Sequence, residues 1–328
     1  MKVTKDEIQF FLDKRKPGAP ISSGRREEDK LEVLEGIKGG MTDGGKITCF
    51  VCNKDAIPSH YLQFKSKPRP GHADYPAIVK YGGLQSGGGF FSGRMTVAFV
   101  IAGAIAKKLL AEENIKTMAF VKRIGKTEIS RPISEEEIEK ITYSNSVYTA
   151  APEFVGKMVE EVMNAKKLGD SVGGIVECRI IGVPTGVGEP MFGSIESRLA
   201  QAIFAIPAVK GIEFGSGFAG SALLGSQNND EYTIMDGRVV TKTNNCGGIL
   251  GGLATGMPII FRVAFKPTSS IFKTQNTIDL ERKKEVKLKI VGRHDPCIAI
   301  RATPVVECVA AFTFADIILS SKEGKYES

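Results

Sequence analysis

The order of apolar and polar positions along this chain predicts helices and strands that intermix, without a steady strand–helix–strand alternation. Residues 4–16 read as a helix. Ile8, Phe11 and Leu12 fall on one face, Thr4 stands at the start, and Glu7 follows three residues later, a spacing at which the two side chains cap each other's backbone N–H. Pro17-Gly18 ends it. Residues 31–34 and 47–51 read as strands, with Gly39-Gly40 and Gly44-Gly45 marking the turns between them. Residues 95–110 are apolar around much of the circumference and predict a core helix. Two more helices are predicted over 134–140 and 152–167. The second opens with Pro152-Glu153, suited to a first turn where the N–H that proline lacks has no partner anyway. Residues 172–181 alternate as a strand, 195–206 predict a helix ending at Pro207, 255–265 contain a strand, and 304–319 predict a last apolar helix. No linker rich in Pro, Ser and charge divides the chain, so the pattern predicts one α+β domain over 1–328 rather than a doubly wound sheet.

Composition narrows this only a little. Hydrophobic residues make up 42% of the chain, enough for a sizeable core. No apolar run reaches the length of a membrane span, and the polar start from Met1 to Asp6 lacks a secretory signal; no membrane association and a cytoplasmic location are expected. The net charge of +7 suits either nucleic acid or an anionic small molecule. The basic residues are scattered, no basic helix face carries interleaved aromatics, and Trp is absent, so nucleic acid is not expected as a partner. The six cysteines are dispersed and read as reduced thiols. Cys49 and Cys52 form a lone C-x-x-C with no second ligand pair at suitable spacing, so they read as strand residues and no metal is expected.

Candidate chemistry concentrates in two runs. Arg69-Pro70-Gly71-His72-Ala73-Asp74 and Gly292-Arg293-His294-Asp295-Pro296 each place a histidine beside an arginine and an aspartate in turn-prone backbone. Such a histidine can exchange protons near neutral pH, the aspartate can orient it, and the arginine can hold an anion. The triple glycine Gly87-Gly88-Gly89 precedes Ser92 and the start of the long helix, where free backbone N–H groups can meet an anion. Lys266-Pro267-Thr268-Ser269-Ser270 joins a cation to three hydroxyls, suited to a phosphate or to a strand end entering a turn. Arg15, Arg25 and Arg26 flank a polar loop and read as solvated surface or as clamps on a polyanion.

The ordered series Arg69–Asp74, Gly169-Asp-Ser-Val-Gly-Gly174, Gly186-Val-Gly-Glu-Pro190, Ile206-Pro-Ala-Val-Lys-Gly-Ile-Glu213, Gly247-Gly-Ile-Leu-Gly-Gly252, Lys266–Ser270 and Gly292–Pro296 resembles the chorismate synthase family over nearly the whole chain. The resemblance implies a β-α-β sandwich with helices between antiparallel sheets, assembled as a homotetramer. It implies a carbon–oxygen lyase that makes chorismate, at the last step of the shikimate pathway, by 1,4-elimination of phosphate from 5-enolpyruvylshikimate 3-phosphate. Reduced FMN is required and not consumed, and NADPH serves as reductant in bifunctional members. Carried over by motif, His72 resembles the acid/base histidine near the leaving phosphate, and Asp295 the aspartate near flavin N5. Arg25 and Arg94 resemble substrate-anion arginines. Ser92, Pro207, Ala208, Gly251, Lys266, Pro267, Thr268, Ser269, Ser270 and Arg293 fall where the family contacts FMN. Arg15 matches an arginine linked to NADPH.

Two departures accompany the resemblance. The family's first strand and its Gly-Glu-Ser-His-Gly motif, which supplies a second catalytic histidine, do not occur here, so either an N-terminally truncated member or one that works without that histidine is expected. In the glycine-rich segment Gln85 and Phe90 stand where relatives carry arginines, and Phe91 where they carry serine, which removes positive charge from the expected pocket. A second reading is therefore a non-catalytic relative kept as a binding or assembly subunit. A third is an FMN-dependent oxidoreductase of different chemistry.

Overall fold

The computed structural model describes residues 1–17, 21–22, 28–53 and 63–323. The elements that position the site begin with α1 (Lys5–Arg15), β1 (Leu31–Glu35), β2 (Thr48–Val51), α2 (Asp74–Tyr81) and α3 (Thr96–Glu112). They continue with β3 (Lys116–Ile124), β4 (Thr127–Glu128), α4 (Val155–Lys167), β5 (Gly174–Ile181), α5 (Ile195–Ile203), β6 (Val209–Phe214), β7 (Ile259–Phe265) and α6 (Ile298–Glu323).

The predicted cap on α1 forms. Glu7 N donates to Thr4 Oγ1 at 3.3 Å and Thr4 N donates to Glu7 Oε2 at 2.9 Å. The other oxygen of Glu7 accepts from Lys108 of α3 at 2.7 Å, and that bond is the chief reason its carboxyl sits at about 2. β1 and β2 pair antiparallel, with Cys49 opposite Val33 and Cys52 exposed just beyond the strand end.

The central sheet has the order β4-β3-β5-β7-β6, and every pairing in it is antiparallel. In β7 burial alternates strictly, with Ile259, Phe261, Val263 and Phe265 buried. Its register sets Phe261 opposite Cys178 and Val263 opposite Val176, so one face of the sheet is a continuous apolar surface. α6 lies across that sheet and is buried on nearly every side. α3 packs along α6, and α1 packs against both while touching β1 on its far side. Helices thus lie between the five-stranded sheet and the β1–β2 pair, a mixed α+β arrangement with antiparallel sheets, as the α+β pattern and the family resemblance imply. α3 and α6 approach closely because Gly103 has no side chain: a Cβ there would lie 2.3 Å from Cβ of Cys308. One hydrophobic cluster joins residues of α1, α3, α6 and all the long strands of the sheet.

The structure departs from the sequence pattern in places. The last helix starts at Ile298, so Pro304 lies inside it rather than at its head. Its stretch Ile298–Ser321, 24 residues with mean hydropathy 1.7, is long and apolar enough to cross a membrane by length and composition, contrary to the expectation of no such run. The same stretch is 83% buried within the fold, as a core helix is. β3 gives no alternation because Thr117 to Val121 are all buried, with α6 on one side and α4 packed on the other. The helix expected to reach residue 206 ends at Ile203, and residues 204–208 turn toward the site.

Candidate active site

A single cavity of about 620 Å³ opens where the loops before α2, before α3, before β6, after β7 and before α6 converge. Most residues singled out from sequence line it: His72, Ser92, Arg94, Arg15, Pro207, Ala208, Lys266, Thr268, Ser269, Ser270, Arg293 and Asp295. Gly251 does not; it turns the hairpin between Ile249–Leu250 and Leu253–Ala254 and is exposed. Pro267 is also exposed and outside the lining, since its neighbours Lys266 and Thr268 take the inward positions. Arg25, Arg26 and His60 lie outside the described residues.

The loop before α2 is built around one buried ion pair. Arg69 Nε and Nη2 donate to Asp74 Oδ2 and Oδ1 at 2.7 and 2.8 Å, and Arg69 N donates to the same Oδ2 at 3.0 Å. The guanidinium lies over the Phe64 ring, 4.3 Å from its centroid, and Nη1 donates to Ser270 Oγ at 3.2 Å. Arg69 therefore ties the His72 loop to the hydroxyl-rich loop after β7. Gly71, at φ +70, allows the bend; a Cβ there would meet Ser269 at 3.3 Å.

His72 Nδ1 lies 2.6 Å from Asp74 Oδ1 and 3.1 Å from Arg69 Nη2. Burial would raise the Asp74 carboxyl, but hydrogen bonds from Arg69 and His72 outweigh it and hold it far below the usual carboxylate range. An anionic oxygen at that separation needs a proton facing it, so Nδ1 donates. Nε2 then remains the ring atom that exchanges protons with a bound molecule.

The rest of the lining is cationic. Arg15, Arg69, Arg94, Lys210, Lys266, Arg293 and Arg301 face the cavity, against one lining carboxylate, Asp295. Arg301 Nη1 holds Asp295 Oδ2 at 2.5 Å, and its Nε donates to the backbone oxygen of Arg15 at 2.8 Å. Lys266 donates through Nζ to the Gly71 carbonyl. Burial first, and repulsion from Lys210 second, push Lys266 below its ordinary value. Among the described residues neither of these lysines has a carboxylate partner. Between them Ala208 adopts φ 72, a left-handed conformation that costs a non-glycine residue roughly 1–3 kcal/mol and that recurs at ligand sites. The Oγ1 of Thr268 is buried without a hydrogen-bond partner.

Phe90 and Phe91 stand at the rim, 76% and 40% exposed, with the Phe91 ring centroid 6.4 Å from that of Tyr81. They put apolar surface beside the cations rather than replacing them all.

Sequence reasoning missed Asp29, Arg301 and the placing of Lys210. Asp29 lies in the charge run from Arg25 to Lys30, which reads as solvated, yet its carboxylate is buried. Arg301 interrupts the apolar first turns of α6, and a cation there was the available signal.

The comparisons with known proteins identify the family. A sequence model of the family described as chorismate synthase matches residues 1–319. A chorismate synthase of Pyrococcus abyssi is 50% identical over 321 residues, covering 97% of this chain and 89% of the relative. A chorismate synthase of Korarchaeum cryptofilum is 45% identical, covering 98% of this chain and 90% of that one. A solved structure titled as the crystal structure of chorismate synthase superposes with a TM-score of 0.72 at 26% identity, covering 99% of this chain and 86% of that chain.

Proposed function

The chain belongs to the chorismate synthase family, and on that premise we propose that its cationic cavity eliminates phosphate from 5-enolpyruvylshikimate 3-phosphate to give chorismate. The observation that carries the proposal is the convergence of His72, Asp295 and seven lysines and arginines on one cavity. The substrate bears a phosphate and two carboxylates, and such a polyanion needs several cations to replace its water. Phosphate leaves from C3 and a hydrogen from C6.

His72 is the proton donor to the departing phosphate. Asp74 holds Nδ1 at 2.6 Å and so leaves Nε2 to face the ligand. Arg94 holds a substrate anion, as the resemblance has Arg25 do. Arg301 orients Asp295 through a contact of 2.5 Å, as a carboxylate that assists removal of the C6 proton requires.

The residues present fit reduced FMN. Lys210 and Lys266 lack carboxylate partners among the described residues, and the buried Thr268 hydroxyl lacks a partner, which together suit a bound phosphate group. Lys266, Thr268, Ser269, Ser270, Pro207, Ala208, Ser92 and Arg293 would hold it, and Phe90 and Phe91 offer faces to a planar ring. When bound, reduced flavin supplies electron density that side chains cannot. Gly251 and Pro267 lie outside this cavity, so a contact from either to the same flavin requires a second subunit, in keeping with a homotetramer. The core cluster shared by the helices and the sheet supports reading the chain as one chorismate synthase-like domain. A cytoplasmic location, and NADPH as an external reductant, complete the reading.

Nothing in the comparisons favours a non-catalytic relative. A titration decides the point. FMN binding that saturates in the presence of the enolpyruvyl substrate supports the enzyme, and no binding at millimolar flavin would overturn it.

A further inference from the structure

We propose that Ser171 is a positioning residue that shapes the hydroxyl-rich loop after β7 into a seat for the phosphate of FMN. The proposal rests on the reading of the cavity as a flavin site.

Gly169-Asp170-Ser171-Val172-Gly173-Gly174 is one of the runs that carry the family resemblance, yet none of its residues lines the cavity. It joins α4 to β5 and bonds to two of the loops that do line it. Toward the loop after β7, Ser171 Oγ donates to the Thr268 carbonyl at 2.7 Å, and the Gly169 carbonyl accepts from Phe272 N at 2.9 Å. Toward the loop before α6, Val172 N donates to the carbonyl of Pro296, the residue after Asp295, at 2.8 Å. Gly173 lets the run come close to the end of β7, since a Cβ there would lie 2.6 Å from the Phe265 carbonyl oxygen. Asp170 holds Ser171 in place: its Oδ1 accepts from Ser171 N at 2.9 Å and its Oδ2 from Lys273 Nζ at 2.7 Å.

The Ser171 bond acts on the peptide between Thr268 and Ser269. That peptide is trans, so its carbonyl and its N–H point opposite ways. Holding the Thr268 carbonyl toward Ser171 turns the Ser269 N–H away from it. Thr268 and Ser269 line the cavity and Ser171 does not, so the hydroxyl grips this peptide from behind. Among the described residues the Ser269 N–H has no acceptor. Beside it in the chain stand the buried Thr268 Oγ1, also without a partner, and Lys266, without a carboxylate among the described residues. A backbone N–H, a hydroxyl and an ammonium left without an anion between Lys266 and Ser269 suit a phosphate group.

Attraction and direction come from different groups. Lys266 and Lys210 draw any anion, whereas the bond from Ser171 fixes where the N–H and hydroxyl of the loop point. Because that bond comes from a side chain, it is removed without breaking the backbone ties to Phe272 and Pro296. Its loss frees the phosphate end of the site and leaves the contacts to the flavin ring untouched. Riboflavin carries the same ring without the phosphate, so the two flavins separate these effects.

The test titrates the full chain with oxidised FMN and, separately, with riboflavin, in the presence of saturating 5-enolpyruvylshikimate 3-phosphate. Quenching of flavin fluorescence is followed in wild type and Ser171→Ala. The net worth of one neutral hydrogen bond corresponds to roughly three- to tenfold in affinity. Kd for FMN is expected to rise by about that factor, with Kd for riboflavin within about twofold. A merely structural role would lower the melting temperature and weaken both flavins alike. That result, or an FMN Kd that rises less than about threefold, overturns the proposal. Should Ser171→Ala fail to fold, Ser171→Cys decides by the same ratio, since the thiol fills the same place and is a weak donor. Wild-type protein that binds no FMN would overturn the functional reading itself. Wild-type protein that binds the two flavins equally overturns the phosphate seat, and a preference for FMN kept by the variant overturns only the role of Ser171.

Discussion

Replacing Asp74 by asparagine tests the polar framework of the site at its most loaded point. The carboxylate accepts from Arg69 Nε, Nη2 and backbone N at 2.7, 2.8 and 3.0 Å, and from His72 Nδ1 at 2.6 Å. Asparagine keeps one acceptor oxygen but turns the other position into a donor facing donors. It also leaves the buried Arg69 without its counter-charge. Breaking a buried ion pair by removing one partner costs about 3–5 kcal/mol. That is a large fraction of the roughly 5–15 kcal/mol by which a protein is stable, so a marked drop in the denaturant midpoint is expected. Turnover should fall further than folding explains. Without the anionic oxygen, Nδ1 need not carry the proton, and a misoriented acid/base histidine costs about 10²–10⁴-fold in rate. The assays are urea unfolding followed by fluorescence, and anaerobic phosphate release with reduced FMN below the melting range. A stability loss under about 1 kcal/mol with unchanged turnover would refute the reasoning.

Other perturbations bear on separate parts of the structure. His72→Ala should slow phosphate release by about 10²–10⁴-fold while binding of substrate persists; unchanged turnover removes His72 from the reaction. Lys266→Met should weaken FMN binding about tenfold, read as loss of flavin fluorescence quenching, and an unchanged titration would place the flavin phosphate elsewhere. Gly103→Ala should destabilise by about 1–3 kcal/mol, because its Cβ would meet Cys308 at 2.3 Å and two packed helices would have to separate; a neutral effect in chemical denaturation contradicts that packing. Asp74 also predicts an acid dependence. Its folded-state value is depressed, so its contribution is complete above the unfolded value near 3.9 and is lost as pH falls below it toward the folded value. Acid unfolding of Asp74→Asn should therefore show a shallower loss of stability below about pH 4 than wild type, and parallel curves would count against the assignment.

Much of the site was legible before the structure because its motifs hold chemistry and turn residues together. The Arg69–Asp74 run announced a histidine beside its orienting acid, and the structure sets them 2.6 Å apart. The capped helix from Thr4 and the strand within 255–265 followed from local rules that no tertiary contact overrode. The remainder depended on long-range contacts. Strand β3 is buried on both faces, so it lost the alternation that marks a strand. Asp29 looked solvated among charges, and only the approach of Arg15 and Arg94 makes it part of the site. Pro304 looked like a helix start, yet packing against α3 and the sheet carries the helix through it. Gly251 and Pro267 share their motifs with lining residues but turn outward, which spacing along the chain cannot reveal.

The most direct measurement follows product and cofactor in one anaerobic reaction. The chain, reduced FMN and 5-enolpyruvylshikimate 3-phosphate are combined, and phosphate, chorismate and flavin absorbance are recorded together. One phosphate and one chorismate should appear for each substrate consumed, with the reduced flavin still present at the end. Oxidation of the flavin in step with turnover, or its persistence without phosphate release, would contradict the account.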